Sequence, residues 1–159
     1  MPEPRPATPA DAAEIARLRS ENILSEPLDA DWLTRCADQL ALRLQAGGDA
    51  RAYVVDSPTG GLATCALGLV HAVLPAPKYP EGLAVRIHAV ATDPAHRRRG
   101  HAKAALSALL DQLEREGVTL YELYAGEGSA PLYEGLGFRA DPALMRMTRF
   151  PGSVERSGS

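Results

Sequence analysis

Residues 96–102 hold the densest chemistry in the chain: His96, then Arg97, Arg98 and Arg99, then Gly100, His101 and Ala102. The three arginines run straight into 103–116, whose apolar spacing reads as a helix. Cations are the wrong sign for a helix N-terminus, each costing a few tenths to roughly 1 kcal/mol there. An anion seated on the free N–H groups of the first turn would balance them, and a glycine lets the backbone come close to it. A phosphate or pyrophosphate fits that description, so the segment points to a phosphorylated cofactor. The alternatives are a solvated arginine cluster or a thin nucleic-acid footprint.

Positioning such a loop takes a strand before it and a helix after it. Residues 83–92 read as that strand, stopped by Asp93 and Pro94. The helix after Gly100 puts Ala102, Ala105, Leu106, Leu109, Leu110 and Leu113 on one face, and Gly117 ends it. Upstream, Thr8, Pro9 and Asp11 form a helix start, and Ile15 and Leu18 carry that helix to about Ser20. A second helix is expected over 31–46, with Trp32, Cys36, Leu40 and Leu44 four residues apart. Strands are expected at 51–56, at 62–74 with an interruption at Gly68, at 118–124 and at 143–150. A weak edge strand fits 2–7, a loop 75–82, and a short helix 129–136 with Pro131 in its first turn. Hairpins first and then a strand–helix–strand crossover give an α+β fold: a mixed, mostly antiparallel sheet with one parallel pair and helices on both faces.

The 159 residues, 45% hydrophobic and 23% charged, suit a single soluble domain over 1–150 with a disordered tail at 151–159. A net charge of −3 argues against general attraction to nucleic acid or anionic lipid, so the basic triplet is a local feature. Two cysteines, Cys36 and Cys65, are too few for a disulfide framework and fit a reducing compartment. The longest apolar stretch contains His71 and falls short of the roughly 20 residues a membrane span needs. No apolar signal core opens the chain, and a cytoplasmic location is the expectation.

The loop lacks the Lys-Ser/Thr pair of a Walker motif and the three glycines of a dinucleotide fingerprint, which disfavours an NTPase or an NAD enzyme. Arg97-x-x-Gly100-x-Ala102, preceded by Val90-Ala91-Thr92-Asp93-Pro94, resembles the acetyl-CoA signature of the GNAT superfamily of N-acetyltransferases. Downstream, Pro131-Leu132-Tyr133-Glu134-Gly135-Leu136-Gly137-Phe138 is similar to that family's second motif. The resemblance covers about 87–138.

This resemblance implies the GNAT fold, in which the central parallel pair splays and acetyl-CoA enters the wedge, and it implies no metal. Arg97, Arg98, Arg99, Gly100, His101, Ala102 and Lys103 would hold the pyrophosphate. Val90, Ala91 and Thr92 would offer main-chain groups to the pantetheine arm, with one N–H near Val90 polarising the thioester carbonyl. Tyr133 would touch the cofactor and protonate the departing thiolate; a core tyrosine is the alternative. Gly126 stands where the family often carries an asparagine that holds pantetheine, so Ser129 or backbone groups would substitute.

His88 is the candidate base, sharing a face with Arg86 and Val90 if no bulge intervenes. Arylalkylamine N-acetyltransferases are similar in carrying a histidine at this spacing. His71, Glu122 and ordered water are the other options. The implied reaction is direct acetyl transfer to a primary amine in a ternary complex, with a small-molecule acceptor and a possible homodimer. Glu21, Glu26, Asp29, Asp31 and Glu81 hint at a cationic amine, though a solvated surface explains them equally well. A CoA-binding module without catalysis and a small nucleic-acid-binding domain are the rival readings.

Overall fold

The computed structural model describes residues 3–24 and 26–151. Its elements run β1 (Arg5–Pro6), α1 (Ala12–Asn22), α2 (Ala30–Arg43), β2 (Ala50–Asp56), β3 (Leu62–Ala72), β4 (Leu83–Thr92), α3 (His101–Arg115), β5 (Leu120–Leu123) and α4 (Ala130–Gly135). The sheet order is β1-β2-β3-β4-β5, antiparallel through β4 and parallel between β4 and β5. A parallel pair needs a long crossover, and α3 supplies it.

Local chemistry sets the helix ends. Thr8 and Asp11 form a capping box on a 3-10 turn that leads into α1, with the Thr8 amide donating to the Asp11 carboxylate at 2.8 Å. Asp29 caps α2 by accepting from the Trp32 amide at 3.0 Å. That helix buries only Leu40 of its apolar stripe, and Trp32 stays exposed beneath the Arg35 guanidinium.

Two clusters pack the two faces of the sheet. Ile15 and Leu18 of α1 and Leu40 of α2 cover Val54, Cys65, Leu67, Ala89 and Ala91. Leu106, Leu109 and Leu113 of α3 cover Ala66, Val85 and Ile87. Each fully buried leucine contributes about 1.5–3 kcal/mol. Helices therefore lie on both faces of a mixed α+β sheet.

Four odd-numbered residues of β4 are split between the clusters, Val85 and Ile87 on one face and Ala89 and Ala91 on the other. A bulge is the reason. Leu67 pairs with Ala89 and Gly68 with Ile87, so His88 has no partner on β3. Gly68 does not interrupt β3; it sits opposite the bulge, where an added Cβ would lie 2.7 Å from Val85 Cγ2.

The expected strand at 143–150 is absent. These residues find no ladder, and Leu144, Met145 and Met147 are exposed. A strand needs a neighbour for its backbone groups, and this segment instead lays Arg146 over the Tyr124 ring. The expected strand at 118–124 shortens because Val118 is buried in the α3 cluster and the Thr119 hydroxyl donates to the Lys78 carbonyl at 2.6 Å. Of the expected tail, residues 152–159 lie outside the described residues.

Candidate active site

The loop between β4 and α3 passes through a 3-10 turn at Pro94–His96 and then two left-handed residues. Asp93 caps the turn after β4 by accepting from the Ala95 amide at 3.0 Å. Arg98 follows with φ +63°, the one non-glycine residue in the left-handed region among the described residues, and Gly100 has φ +79°. Left-handed residues on either side of Arg99 are the kind of backbone from which an anion nest can be made. The Gly100 position has open space around a would-be Cβ, so glycine is required there for its φ. Gly100 lends α3 no side-chain cap, and the first turn of the helix holds no acid. Its leading N–H groups therefore remain available.

The three arginines divide. Arg97 is an anchor: its Nε donates to the Thr92 carbonyl at 3.2 Å and its Nη2 to Asn22 Oδ1 at 2.8 Å. Arg98 and Arg99 are exposed, with no side-chain partner among the described residues. Lys103 is exposed on the first turn of α3, Ala102 is half-buried, and His101 is buried.

Beside this loop the parallel strands part. The β4–β5 ladder runs from Ala84↔Leu120 to Ile87↔Leu123 and stops, while β4 stays paired to β3 as far as Thr92. The backbone groups of residues 88–92 that face away from β3 thus have no strand to bond. Val90, Ala91 and Thr92 line this gap, with the Thr92 and Thr64 hydroxyls in close contact.

Tyr133 on α4 and Val90 on β4 pack against the same α3-side cluster. The Tyr133 ring meets Phe138 edge-on at 6.0 Å, and burial pushes its phenol above the usual pKa. Its hydroxyl has no partner among the described residues. Ser129 precedes α4 and donates its hydroxyl to the Gly126 carbonyl at 2.6 Å, which leaves only its lone pairs free to accept.

The bulge separates His88 from Val90, contrary to the shared face expected without one. Val90 joins the α3 side, whereas the His88 side chain opens on the α1/α2 side into a cavity of about 230 Å³. Arg19, Cys36, Gln39 and Arg43 line that cavity together with Ile15, Leu40, Leu67 and Leu69. Burial foremost, then Arg19, Arg86, Arg43 and His71, hold the His88 imidazole below its ordinary pKa. His71 is exposed on β3, and Glu122 lies 4.0 Å from Arg86. None of the five carboxylates noted for the acceptor zone lines the cavity. Glu21 pairs with Arg17 at 2.9 Å, and Asp29 is the α2 cap.

Arg19, Arg43 and Gln39 escaped sequence reasoning because no motif joins α1, α2, β3 and β4. Cys65 is fully buried and its thiol is pushed up to about 12 by that burial, in keeping with a core role. A larger hollow of about 770 Å³ lies between α3, β5 and the segment after α4, away from the left-handed turn and the bulge. No cluster able to hold a metal ion occurs among the described residues.

Comparison with known proteins gives this arrangement a class. Residues 19–138 match the model of the Acetyltransferase (GNAT) family, and the chain belongs to that family. A predicted acetyltransferase from Clostridium acetobutylicum, solved with acetyl-CoA, superposes with a TM-score of 0.80 at 17% identity, over 93% of this chain and 96% of that one. A GCN5-related N-acetyltransferase from Ralstonia eutropha JMP134 gives 0.76 at 24% identity, over 92% and 97%. A Trypanosoma brucei acetyltransferase gives 0.68 at 26% identity, over 92% and 99%. No curated protein sequence matches the chain significantly. The fold is therefore the GNAT fold, and acetyl transfer is the general activity of the family.

Proposed function

We propose that the protein is an acetyl-CoA-dependent N-acetyltransferase, one domain over 1–150, acting on the primary amine of a small molecule. The observation that carries this reading is the coincidence of two features: a β4–β5 ladder that ends at Ile87↔Leu123, and a left-handed turn at Arg98–Gly100 opening α3. Bound acetyl-CoA would supply the acetyl group as an activated thioester. The amides from Arg98 to Lys103 would hold its diphosphate, with the Arg98 and Arg99 guanidinium groups adding charge. Arg97 acts through the loop, tying it to Thr92 and Asn22.

Val90, Ala91 and Thr92 would offer unpaired main-chain groups to the pantetheine arm, and an N–H near Val90 would polarise the thioester carbonyl. His88 would take the proton from the amine, directly or through water, on the α1/α2 side of the sheet. Tyr133 Oη would give its proton to the departing sulfur on the α3 side. The phenol is protonated at neutral pH and its hydroxyl has no partner among the described residues, which supports this role. Base and acid then stand on opposite sides of β4, joined through the splay.

No helix among the described residues is long and apolar enough to cross a membrane; a cytoplasmic location is part of this proposal, in line with two unpaired cysteines, Cys36 and Cys65. The exposed Leu144, Met145 and Met147 support a homodimer. The test is thiol release from acetyl-CoA against a panel of amines, beside calorimetry with CoA. Amine-dependent release is expected. Binding of CoA without release above background would leave a CoA-binding module that lacks catalysis.

A further inference from the structure

We propose that the cavity beside His88 selects an acceptor amine bearing its own negative charge, a carboxylate or a phosphate monoester, with Arg19 as the residue that binds it. This rests on the acetyltransferase reading above and names the substrate class of the same site.

The cavity is lined by ten residues, of which Arg19 and Arg43 carry permanent positive charge and none is a carboxylate. Arg19 is the unspent cation. Its neighbour on α1, Arg17, is held by Glu14 at 2.8 Å and Glu21 at 2.9 Å. Arg43 is paired with Asp49 at 2.9 Å, and Arg35 sits over Trp32. The Arg19 guanidinium has no side-chain partner among the described residues, although the residue is half-buried at the cavity wall. A desolvated guanidinium without a counter-charge is costly, and a ligand carboxylate or phosphate would complete it.

Size and polarity narrow the ligand further. About 230 Å³ falls below the roughly 300–1,000 Å³ of drug-sized sites. The apolar walls, Leu40, Leu67 and Leu69 among them, lower the local dielectric and strengthen a charge pair. A polyamine would bring a second ammonium against Arg19 and Arg43 with no carboxylate to receive it. The same positive field disfavours the ammonium form of the acceptor. It would therefore bind the anion and at the same time favour the neutral, attacking amine. Each charge that depresses the His88 pKa is likewise cationic.

The test is kcat/KM by thiol release, using the full chain and acceptors matched in size. β-Alanine and phosphoethanolamine carry the two kinds of anion, β-alaninamide is the uncharged control, and ethylenediamine is the cationic one. At least one anionic amine is expected to exceed the amide about tenfold and the diamine by more, the scale of one charge-assisted hydrogen-bonded pair. The relative rates of the two anionic amines separate carboxylate from phosphate recognition. Arg19→Gln should erase that preference by raising KM, with acetyl-CoA affinity and thermal midpoint unchanged, and Arg19→Lys should restore part of it. Equal use of amide and anion, preference for the diamine, or an unaltered preference in Arg19→Gln overturns the inference while acetyl transfer stands. Absence of acetyl-CoA binding in the wild-type protein overturns the acetyltransferase reading first, and this inference with it.

Discussion

The two sides of β4 are built from different materials. On the α3 side, the proposed cofactor cradle is made of backbone: left-handed residues at Arg98 and Gly100, the bare first turn of α3, and strand edges left open beyond Ile87. On the α1/α2 side, the cavity is made of side chains that converge from α1, α2, β3 and β4. Backbone recognition tolerates many sequences, provided one glycine keeps its φ. Side-chain recognition changes with every substitution. If the cavity takes the acceptor as proposed, its choice of substrate rests on side chains, two of them arginines, while the donor side rests on main chain.

The largest effect should come from the α3 side. Tyr133→Phe is expected to lower turnover about 100-fold, the lower range for removing a general acid, with acetyl-CoA affinity unchanged by calorimetry. An unchanged rate would leave the acid role unassigned on that side. His88→Gln should cost about tenfold in kcat/KM, less because water can relay a proton. It should also remove the acidic limb of the pH profile. The sign follows first from burial of the imidazole, then from Arg19 on α1, Arg86 on β4, Arg43 on α2 and His71 on β3, all of which disfavour its protonated form. The base therefore stays active below pH 6.5, and the limb falls at a lower pH than for an ordinary histidine. An identical pH profile in the variant would make His88 a purely structural residue.

Gly100→Ala probes the cradle without touching the cavity. Forcing a Cβ into a left-handed conformation costs about 1–2 kcal/mol, so acetyl-CoA should bind roughly fivefold to thirtyfold more weakly while the KM ratio between acceptors stays constant. A shift in that ratio would mean that the two sides are not independent. The smallest effect concerns the frame that both sides share. Arg5 bridges Asp11 and Asp56 at 2.9 Å each and holds both carboxyls below their usual pKa. Depressed carboxyl pKa values contribute stability above the unfolded value of 3.8, lost as pH falls through the folded value. Arg5→Ala should lower stability by at most about 1 kcal/mol at neutral pH, and its melting temperature should converge on that of the wild type below pH 3.8. A constant gap across pH would place the effect in packing rather than charge.

Much of the cradle was legible because its parts follow local rules. The bounds of Leu83–Thr92 follow from its own composition and from the Asp93–Pro94 stop, and the left-handed turn before α3 falls where Gly100 marks it. Gly68 inside a strand pattern is a known sign of a bulge, but periodicity does not say whether one forms or where. The shared face of His88 and Val90 holds only without it. The strand expected at 143–150 failed for another reason: apolar content is local, but a ladder partner is not. Arg19 was illegible for the same cause, since its meaning depends on three other elements and on Arg17 having taken the nearby carboxylates.

The unpaired residue on β4 also governs parity. Up to Ile87, odd positions look toward α3; from Ala89 onward they look the other way. Deleting that one residue would close the bulge and restore an unbroken alternation, with Val90 still toward α3 and Ala89 and Ala91 still toward α1 and α2. The strand would keep both faces and lose only the imidazole that opens into the cavity. A single inserted residue thus adds a functional group to a buried strand without disturbing the packing on either side of it.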